Sequence, residues 1–325
     1  MELNLNKRLV ENVLKHIPKN KKAVIYLVNT LNISRESAYR RMRGDIPFTV
    51  EELITLAIKL EFSIDDIYDR EKQNHEFFDY SRIESNSSNF FLIMLKKYNE
   101  LLEEIGYSKK VEATMAFNTF SPPFFTNFDN LFRFSYYKWL YQDNDTYRNA
   151  LYSEIALPGD IVMHQRKMRG SILKGNDVTL ILDMNIFLNL IKEIQYFYQR
   201  KLLNAEELFL LKEETLHLIE QYGNMAQTGV NGSTKIQLYL SSLAVNSNTI
   251  YYKYDDKMDP LFWIFTVNPV VIKNDEFASI QLKWLNSLKR QSALISQSNE
   301  ILQAEFFFRQ QEYVDKYLSA DHTLS

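Results

Sequence analysis

The amino-acid sequence predicts a multidomain protein, in which a small all-α domain of five helices precedes a larger, helix-rich α+β domain. The chain has 325 residues, more than the roughly 100–200 of one ordinary domain. Its 8 Gly and 7 Pro are few, which favours helices over a loop-rich sandwich. Up to residue 70 the apolar residues recur only at helical spacing. From residue 90, some segments have helical spacing and others resemble strands. We therefore expect a helical domain at 1–70, a linker at 71–89 and an α+β domain at 90–325.

Five helices fit the first domain. The first covers residues 5–17 and ends before Pro18, and the second covers 21–31 with Asn20 as its N-cap. Ser34 caps the third, which ends at Gly44. Thr49 caps the fourth, and residues 63–68 form a short fifth helix.

The second domain alternates helical and strand-like segments. Helices are predicted at 89–105, 127–141, 185–200, 205–223, 275–291 and 298–318. Strands are predicted at 111–117, 152–157, 178–182, 235–243, 249–254 and 261–267. The strands 235–243 and 249–254 are expected to form an antiparallel hairpin.

Positive charge is concentrated near the amino end of an otherwise mildly acidic chain. The formal net charge of the whole chain is −3. Residues 7–43 nevertheless contain ten Lys or Arg and two Glu, whereas residues 44–70 contain seven acidic and two basic residues. A polyanion docks where the local field is positive. The alternative is an ordinary solvated basic face.

The third predicted helix has the composition of a recognition helix. Ile33, Ala38 and Met42 would pack it against its neighbours, with polar and basic residues outward or at the rim. Arg pairs bidentately with guanine, Ser contacts a base or a phosphate, and Glu accepts from cytosine. Basic residues at the start of the second helix suit a phosphate. The candidate DNA-contacting residues are Lys21, Lys22, Ser34, Arg35, Glu36, Ser37, Tyr39, Arg40 and Arg43.

Residues 5–68 resemble the lambda-repressor-like (XRE-type) helix-turn-helix family. The resemblance is carried by Ile33-Ser34-Arg35, Ser37, Arg40 and Arg43-Gly44, by the fourth-helix pattern 50–60, and by the ending 62–68. It implies a recognition helix in the major groove, acting in a dimer on a two-fold site. Arg41 and Met42 depart from the family pattern, where an apolar residue and Glu are frequent. The resemblance covers about a fifth of the chain. The alternative is a helix-turn-helix retained for protein interaction.

No other sequence pattern indicates a catalytic, metal-binding or cofactor-binding site. The chain has no Cys, which excludes disulfides, thiolate metal sites and a Cys nucleophile. Glu214 and His217 have the spacing of half a metal site, but a Glu-rich surface helix explains them better. We expect no catalytic residues, no metal and no cofactor. No signal peptide or run of about 20 apolar residues is visible, so we expect no membrane association and a cytoplasmic, bacterial protein.

The sequence thus predicts a DNA-binding transcriptional regulator that is not an enzyme. Its partners would be double-stranded DNA, a second copy of the chain, and a small-molecule or protein effector at the α+β domain. The α+β domain would dimerise and sense a ligand, or act purely as a protein-interaction module. Aromatic residues crowd segments 117–141 and 306–308. They would line an effector pocket, or form core and dimer contacts.

Overall fold

The structure, a computed structural model, describes residues 5–17, 22–60, 62, 64, 87–143, 145–171, 173, 175–264, 268–272 and 274–319. The chain divides into two compact units, residues 1–80 and 81–325. The division falls inside the segment 71–89 that the sequence predicts as a linker.

The first unit is built from helices around a small core. In its described part the helices are α1 (Leu5–His16), α2 (Ala23–Leu31), α3 (Arg35–Met42) and α4 (Val50–Leu60). They enclose a core of buried side chains: Leu9, Val10, Val13, Ile17, Leu27, Ala38, Phe48, Leu56 and Phe62. The predicted cap Asn20 lies outside the described residues, as does the predicted fifth helix apart from Ile64.

The second unit contains an eight-stranded mixed sheet. Its strands are β1 (Val111–Phe117), β2 (Asp177–Asp183), β3 (Val230–Asn231), β4 (Thr234–Ser241), β5 (Thr249–Tyr254), β6 (Lys257–Ile264), β7 (Asn268–Val271) and β8 (Ser292–Leu294). The order is β3-β4-β2-β1-β5-β6-β7, and β8 pairs with the far end of β4. Strands β4, β2 and β1 are parallel, whereas the β1–β5, β5–β6 and β6–β7 pairs are antiparallel.

Helices cover the two faces of this sheet unequally. They are α5 (Ser87–Gly106), α6 (Asp129–Asp143), α7 (Gly159–Met168), α8 (Ile186–Gln199), α9 (Ala205–Thr228), α10 (Asp275–Arg290) and α11 (Glu300–Tyr317). All of them except α10 share one large core with one face of the sheet. On the other face, α10 packs through Ala278, Leu285 and Leu288 against Ala116 and Ile181. The unit is a helix-rich α+β domain, as the sequence predicts.

The predicted hairpin between 235–243 and 249–254 is wrong. Strands β4 and β5 are separated in the sheet by β2 and β1. The short link between them crosses the ends of those strands and is fixed there. Asp183 Oδ2 accepts from the Val245 amide at 3.1 Å, and Asn118 Nδ2 donates to the Val245 carbonyl at 2.6 Å. A short connection therefore did not imply neighbouring strands.

Two further segments differ from the sequence prediction. Residues 152–157 form no strand. Tyr152–Glu154 is a 3-10 turn, and the buried residues Tyr152 and Ile155 are three apart rather than two, as a strand face would require. Helix α7 begins at Gly159, in a stretch for which neither a helix nor a strand is predicted. Its buried residues Ile161, Gln165 and Met168 have helical spacing.

The aromatic segment 117–141 packs mostly into the core. Phe117, Phe120, Phe132, Tyr136 and Tyr137 are all buried. The three consecutive Phe residues of α11 diverge, as helical geometry requires. Phe306 is buried, Phe307 lies half-buried beside Gly223, and Phe308 is 63% exposed.

Candidate nucleic-acid interface

The turn between α2 and α3 is sharply defined. Helix α2 ends at Asn32, whose φ of 53° places it in the left-handed region that Asn tolerates. Ser34 then caps α3, and its Oγ accepts from the Ser37 amide at 3.2 Å. Ala38 of α3 is fully buried in the core, where a small residue lets the helices approach closely. Two short helices are thereby joined by a tight turn.

The outward face of α3 consists of Arg35, Glu36, Tyr39, Arg40 and Arg43. All five are exposed, and Tyr39 is 54% exposed. Arg35, Glu36 and Arg40 make no side-chain hydrogen bond or ion pair with any described residue. Two guanidinium groups, a carboxylate and a phenol are therefore free to bind a ligand. Guanidinium groups match the acceptor edges of guanine and the oxygens of phosphate.

Arg41 faces the other way and joins α3 to α4. Its guanidinium donates to both carboxylate oxygens of Glu52, each at 2.8 Å, and to Ser37 Oγ at 2.5 Å. Glu52 also accepts from the Thr49 amide, while Thr49 Oγ1 accepts from the Glu52 amide, which is a capping box at the start of α4. The Arg41 and Glu52 side chains are only 11% and 15% exposed. This network fixes the inward side of α3 against α4.

Three of the predicted DNA-contacting residues already have partners: Ser34, through its cap on α3, Ser37 and Arg43. Ser37 is half-buried and its hydroxyl accepts from Arg41, so it is less available than Arg35 or Arg40. Arg43 Nε lies 3.1 Å from Asp45 Oδ2, and both side chains are largely exposed. An exposed pair of this kind is weak, so a phosphate can displace Asp45.

The start of α2 adds one exposed cation to this surface. Lys22 occupies the N-cap position and is exposed. Its carbonyl accepts from the Tyr26 amide, which leaves the first amides of α2 to point past the helix end. Lys21 lies outside the described residues.

Arg41 and Glu52 are the site residues that the sequence analysis missed. Arg41 appeared there as a departure from a family pattern, without a partner. Part of the signal was available in the helical phase: around α3, Arg41 lies between half-buried Ser37 and buried Ala38, which is the inward side. An inward Arg requires an acidic partner, and the first turn of α4 supplies Glu52.

The Glu214 carboxylate, which has metal-site spacing with His217, is bonded to the start of α6. The Glu214 carboxylate accepts from the amides of Asn130 and Leu131 at 3.1 and 2.7 Å, and from Asn130 Nδ2 at 2.8 Å. It therefore caps the amino end of α6. Among the residues that the structure describes, no three His, Asp or Glu side chains cluster as metal ligands would.

Glu214→Gln should destabilise the second unit by about 1–3 kcal/mol, because charge-assisted bonds to three donors are weakened. Glu220→Gln, on an exposed position of the same helix, is the matched control and should change stability by less than about 0.5 kcal/mol. Urea unfolding measures both. Equal midpoints for the two variants would contradict the capping role.

The second unit carries an open cleft beside α9. The cleft, of about 370 Å³, is lined by residues that include His217, Gln221, Asn224 and Asn231. A smaller, more enclosed crevice of about 20 Å³ continues from Gln221 and Asn231 to Tyr222. Tyr222 is buried, which raises the pKa of its phenol, and its hydroxyl has no hydrogen-bond partner among the described residues. The cleft is one candidate effector position in the described part of the second unit.

Comparisons with protein-family models, curated proteins and solved structures find no significant match to this chain. Within the described ranges, every helix is too short or too polar to cross a bilayer.

Proposed function

We propose that this protein is a sequence-specific DNA-binding transcriptional regulator whose first unit reads the major groove with α3. The observation that carries the proposal is the two-sided character of that helix. Arg35, Tyr39 and Arg40 are exposed on one side, while Ala38 and the Arg41–Glu52 pair fix the other. A rigid helix with an unpaired basic face is what direct base readout requires.

The geometry around α3 agrees with a helix-turn-helix of the lambda-repressor-like type. Helix α3, which Ser34 caps, follows a tight turn in which Asn32 is left-handed. Exposed Lys22, at the start of α2, is suited to contact the DNA backbone. Phosphate contacts would set the register, and Arg35 and Arg40 would supply base contacts. The second unit would then control DNA binding by favouring one arrangement of two bound copies.

Lys22→Ala should weaken binding about equally on all DNA sequences. It should also reduce the slope of log affinity against log salt by about 0.9, because one phosphate contact is lost. Fluorescence anisotropy on a cognate and a scrambled duplex, over a salt series, measures both quantities. Lys96→Ala in the second unit, which is also exposed, serves as the control. An unchanged salt slope in the Lys22 variant would remove Lys22 from the interface.

The alternative is that the second unit binds a partner protein and has no small-molecule ligand. The observation in its favour is the wide mouth of the α9 cleft, together with exposed apolar side chains such as Ile301 and Phe308 on α11. Native mass spectrometry of protein purified from its source distinguishes the two hypotheses. A small additional mass that can be released indicates a small-molecule ligand. A co-purified protein indicates that the second unit is a protein-interaction module.

A further inference from the structure

The cleft beside α9 has two walls. Helix α9 supplies His217, Gln221 and Asn224, which share one side of the helix because they are four and three residues apart. The turn of the β3–β4 hairpin supplies Asn231 and Gly232. The volume of about 370 Å³ falls within the range of small-molecule sites, about 300–1,000 Å³.

The crevice that continues from this cleft is lined by a buried phenol. Tyr222 is only 2% exposed, and it lines the crevice together with the buried side chains of Phe124 and Leu173. The Tyr222 hydroxyl has no hydrogen-bond partner among the described residues. A buried hydroxyl without a partner is unfavourable, and native proteins almost always supply one. The crevice, of about 20 Å³, has room for one water-sized group.

Side-chain amides surround the entrance to the crevice. Gln221 and Asn231 are half-buried and line both the cleft and the crevice, whereas Asn224 lines only the cleft and Asn127 only the crevice. None of these four amides makes a side-chain hydrogen bond with a described residue. Each amide presents both donors and an acceptor. Such a lining matches hydroxyl groups, which also donate and accept.

Contacts within the second unit hold both walls in place. Beside the crevice, the Thr126 carbonyl accepts from Arg169 Nε at 3.0 Å and from Gln165 Nε2 at 3.3 Å. At the hairpin, Thr234 Oγ1 donates to the Gly175 carbonyl at 3.0 Å. A site formed in advance binds a ligand with little cost in conformational entropy.

The charges of the lining do not suit an anion. Neither Lys nor Arg is among the described residues that line the cleft or the crevice, and exposed Glu220 adds a carboxylate to the cleft. A carboxylate repels a bound anion. Burial raises the pKa of the Tyr222 phenol, so its hydroxyl stays protonated at neutral pH and both donates and accepts.

We propose that the cleft and crevice bind a small neutral molecule with several hydroxyl groups, a sugar or a polyol, one hydroxyl of which enters the crevice and bonds to Tyr222. Gln221 and Asn231 would bond the neighbouring hydroxyls, and Asn224 the outer ones. As an effector site this rests on the proposed function. Binding itself requires no DNA, so the two proposals can fail separately.

Tyr222→Phe removes only the hydroxyl that the ligand would bond. Without ligand the variant should unfold at the same temperature as the wild type or higher, because that hydroxyl has no partner among the described residues. Thermal unfolding of the full-length protein, followed by Trp fluorescence, reports the second unit. The probes are neutral hexoses, pentoses and alditols, each at about 10 mM.

The expected result is that at least one of these probes raises the unfolding temperature of the wild type by about 2 °C or more. Tyr222→Phe should lower the affinity for that probe by about tenfold or more. Gln221→Met should also weaken binding, whereas Gln227→Met, at an exposed position of α9 outside the cleft, should not.

Tyr137→Phe is the matched control for the loss of a buried phenol hydroxyl. Tyr137 is fully buried, but its hydroxyl donates to the Ala150 carbonyl at 2.8 Å. Tyr137→Phe should therefore unfold at a lower temperature than the wild type and bind the probe with unchanged affinity. This pattern is the reverse of the one expected for Tyr222→Phe.

Three results would overturn the proposal. The first is that no neutral hexose, pentose or alditol raises the unfolding temperature. The second is that a phosphorylated or an amino sugar stabilises the protein more than its neutral parent, which would assign the cleft to a charged ligand. The third is that Tyr222→Phe is less stable without probe and binds the probe as the wild type does, which would assign the crevice to a structural water.

Discussion

Arg40→Ala should lower the affinity for a cognate duplex by about 1–3 kcal/mol and relax the sequence preference, while leaving the first unit folded. Arg40 is exposed and makes no side-chain hydrogen bond or ion pair with described residues, so its removal disturbs little within the unit. A bidentate guanidinium contact to a base discriminates against the wrong base by a similar amount. Competition binding against single-base variants of the duplex measures this loss of specificity.

The neighbouring Arg41 is the matched control for this variant. Arg41→Ala removes the same charge from the same helix, but it leaves Glu52 without its bidentate partner. It should destabilise the first unit by about 1–3 kcal/mol, which hydrogen exchange of the α3 and α4 amides would report. If Arg40→Ala destabilised the unit and Arg41→Ala only weakened DNA binding, the assignment of the two faces would be reversed.

Phe187→Ala should be among the most destabilising substitutions in the second unit, at about 3–5 kcal/mol. The Phe187 side chain is fully buried, and its ring lies 5.2 Å from that of Phe120, 5.7 Å from Tyr222 and 6.1 Å from Phe306. Its removal leaves a cavity where α8, α9 and α11 meet, and the aromatic rings around it cannot collapse to fill it.

Phe209→Ala provides the control for Phe187→Ala. Phe209 lies on α9 and is 58% exposed, so its loss should cost less than about 0.5 kcal/mol. All three Trp residues, Trp139, Trp263 and Trp284, lie in the second unit, so their fluorescence reports its unfolding in urea. Similar midpoints for the two variants would show that the aromatic cluster does not hold these helices together.

The sequence predicted well those features that depend on residues close together in the chain. The cap at Ser34, the start of α4 after Thr49, and the bounds of β1 and β5 follow from side-chain capping and apolar alternation, and all are confirmed. The order of strands was not predictable in this way. Parallel pairing of β4 with β2 depends on contacts far apart in sequence, which the short link to β5 does not disclose.

The same distinction between local and long-range contacts applies to the candidate site. The outward position of Arg40 follows from helical phase, because it lies about 160° around α3 from Ala38, and the structure leaves Arg40 and Tyr39 exposed. Arg35, the first residue of α3, is exposed although it lies three residues from Ala38. The inward role of Arg41 was missed because it depends on Glu52, which belongs to another helix. Whether the exposed residues contact DNA stays a prediction.

Selection of bound sequences from a random duplex library by the full-length protein is the sharpest test of whether α3 reads DNA. We predict enrichment of one motif at moderate salt, and loss of information at defined positions of that motif with Arg40→Ala. Folded protein that enriches no motif, or a motif unchanged when Arg35 and Arg40 are both replaced by Ala, would contradict a recognition role for α3.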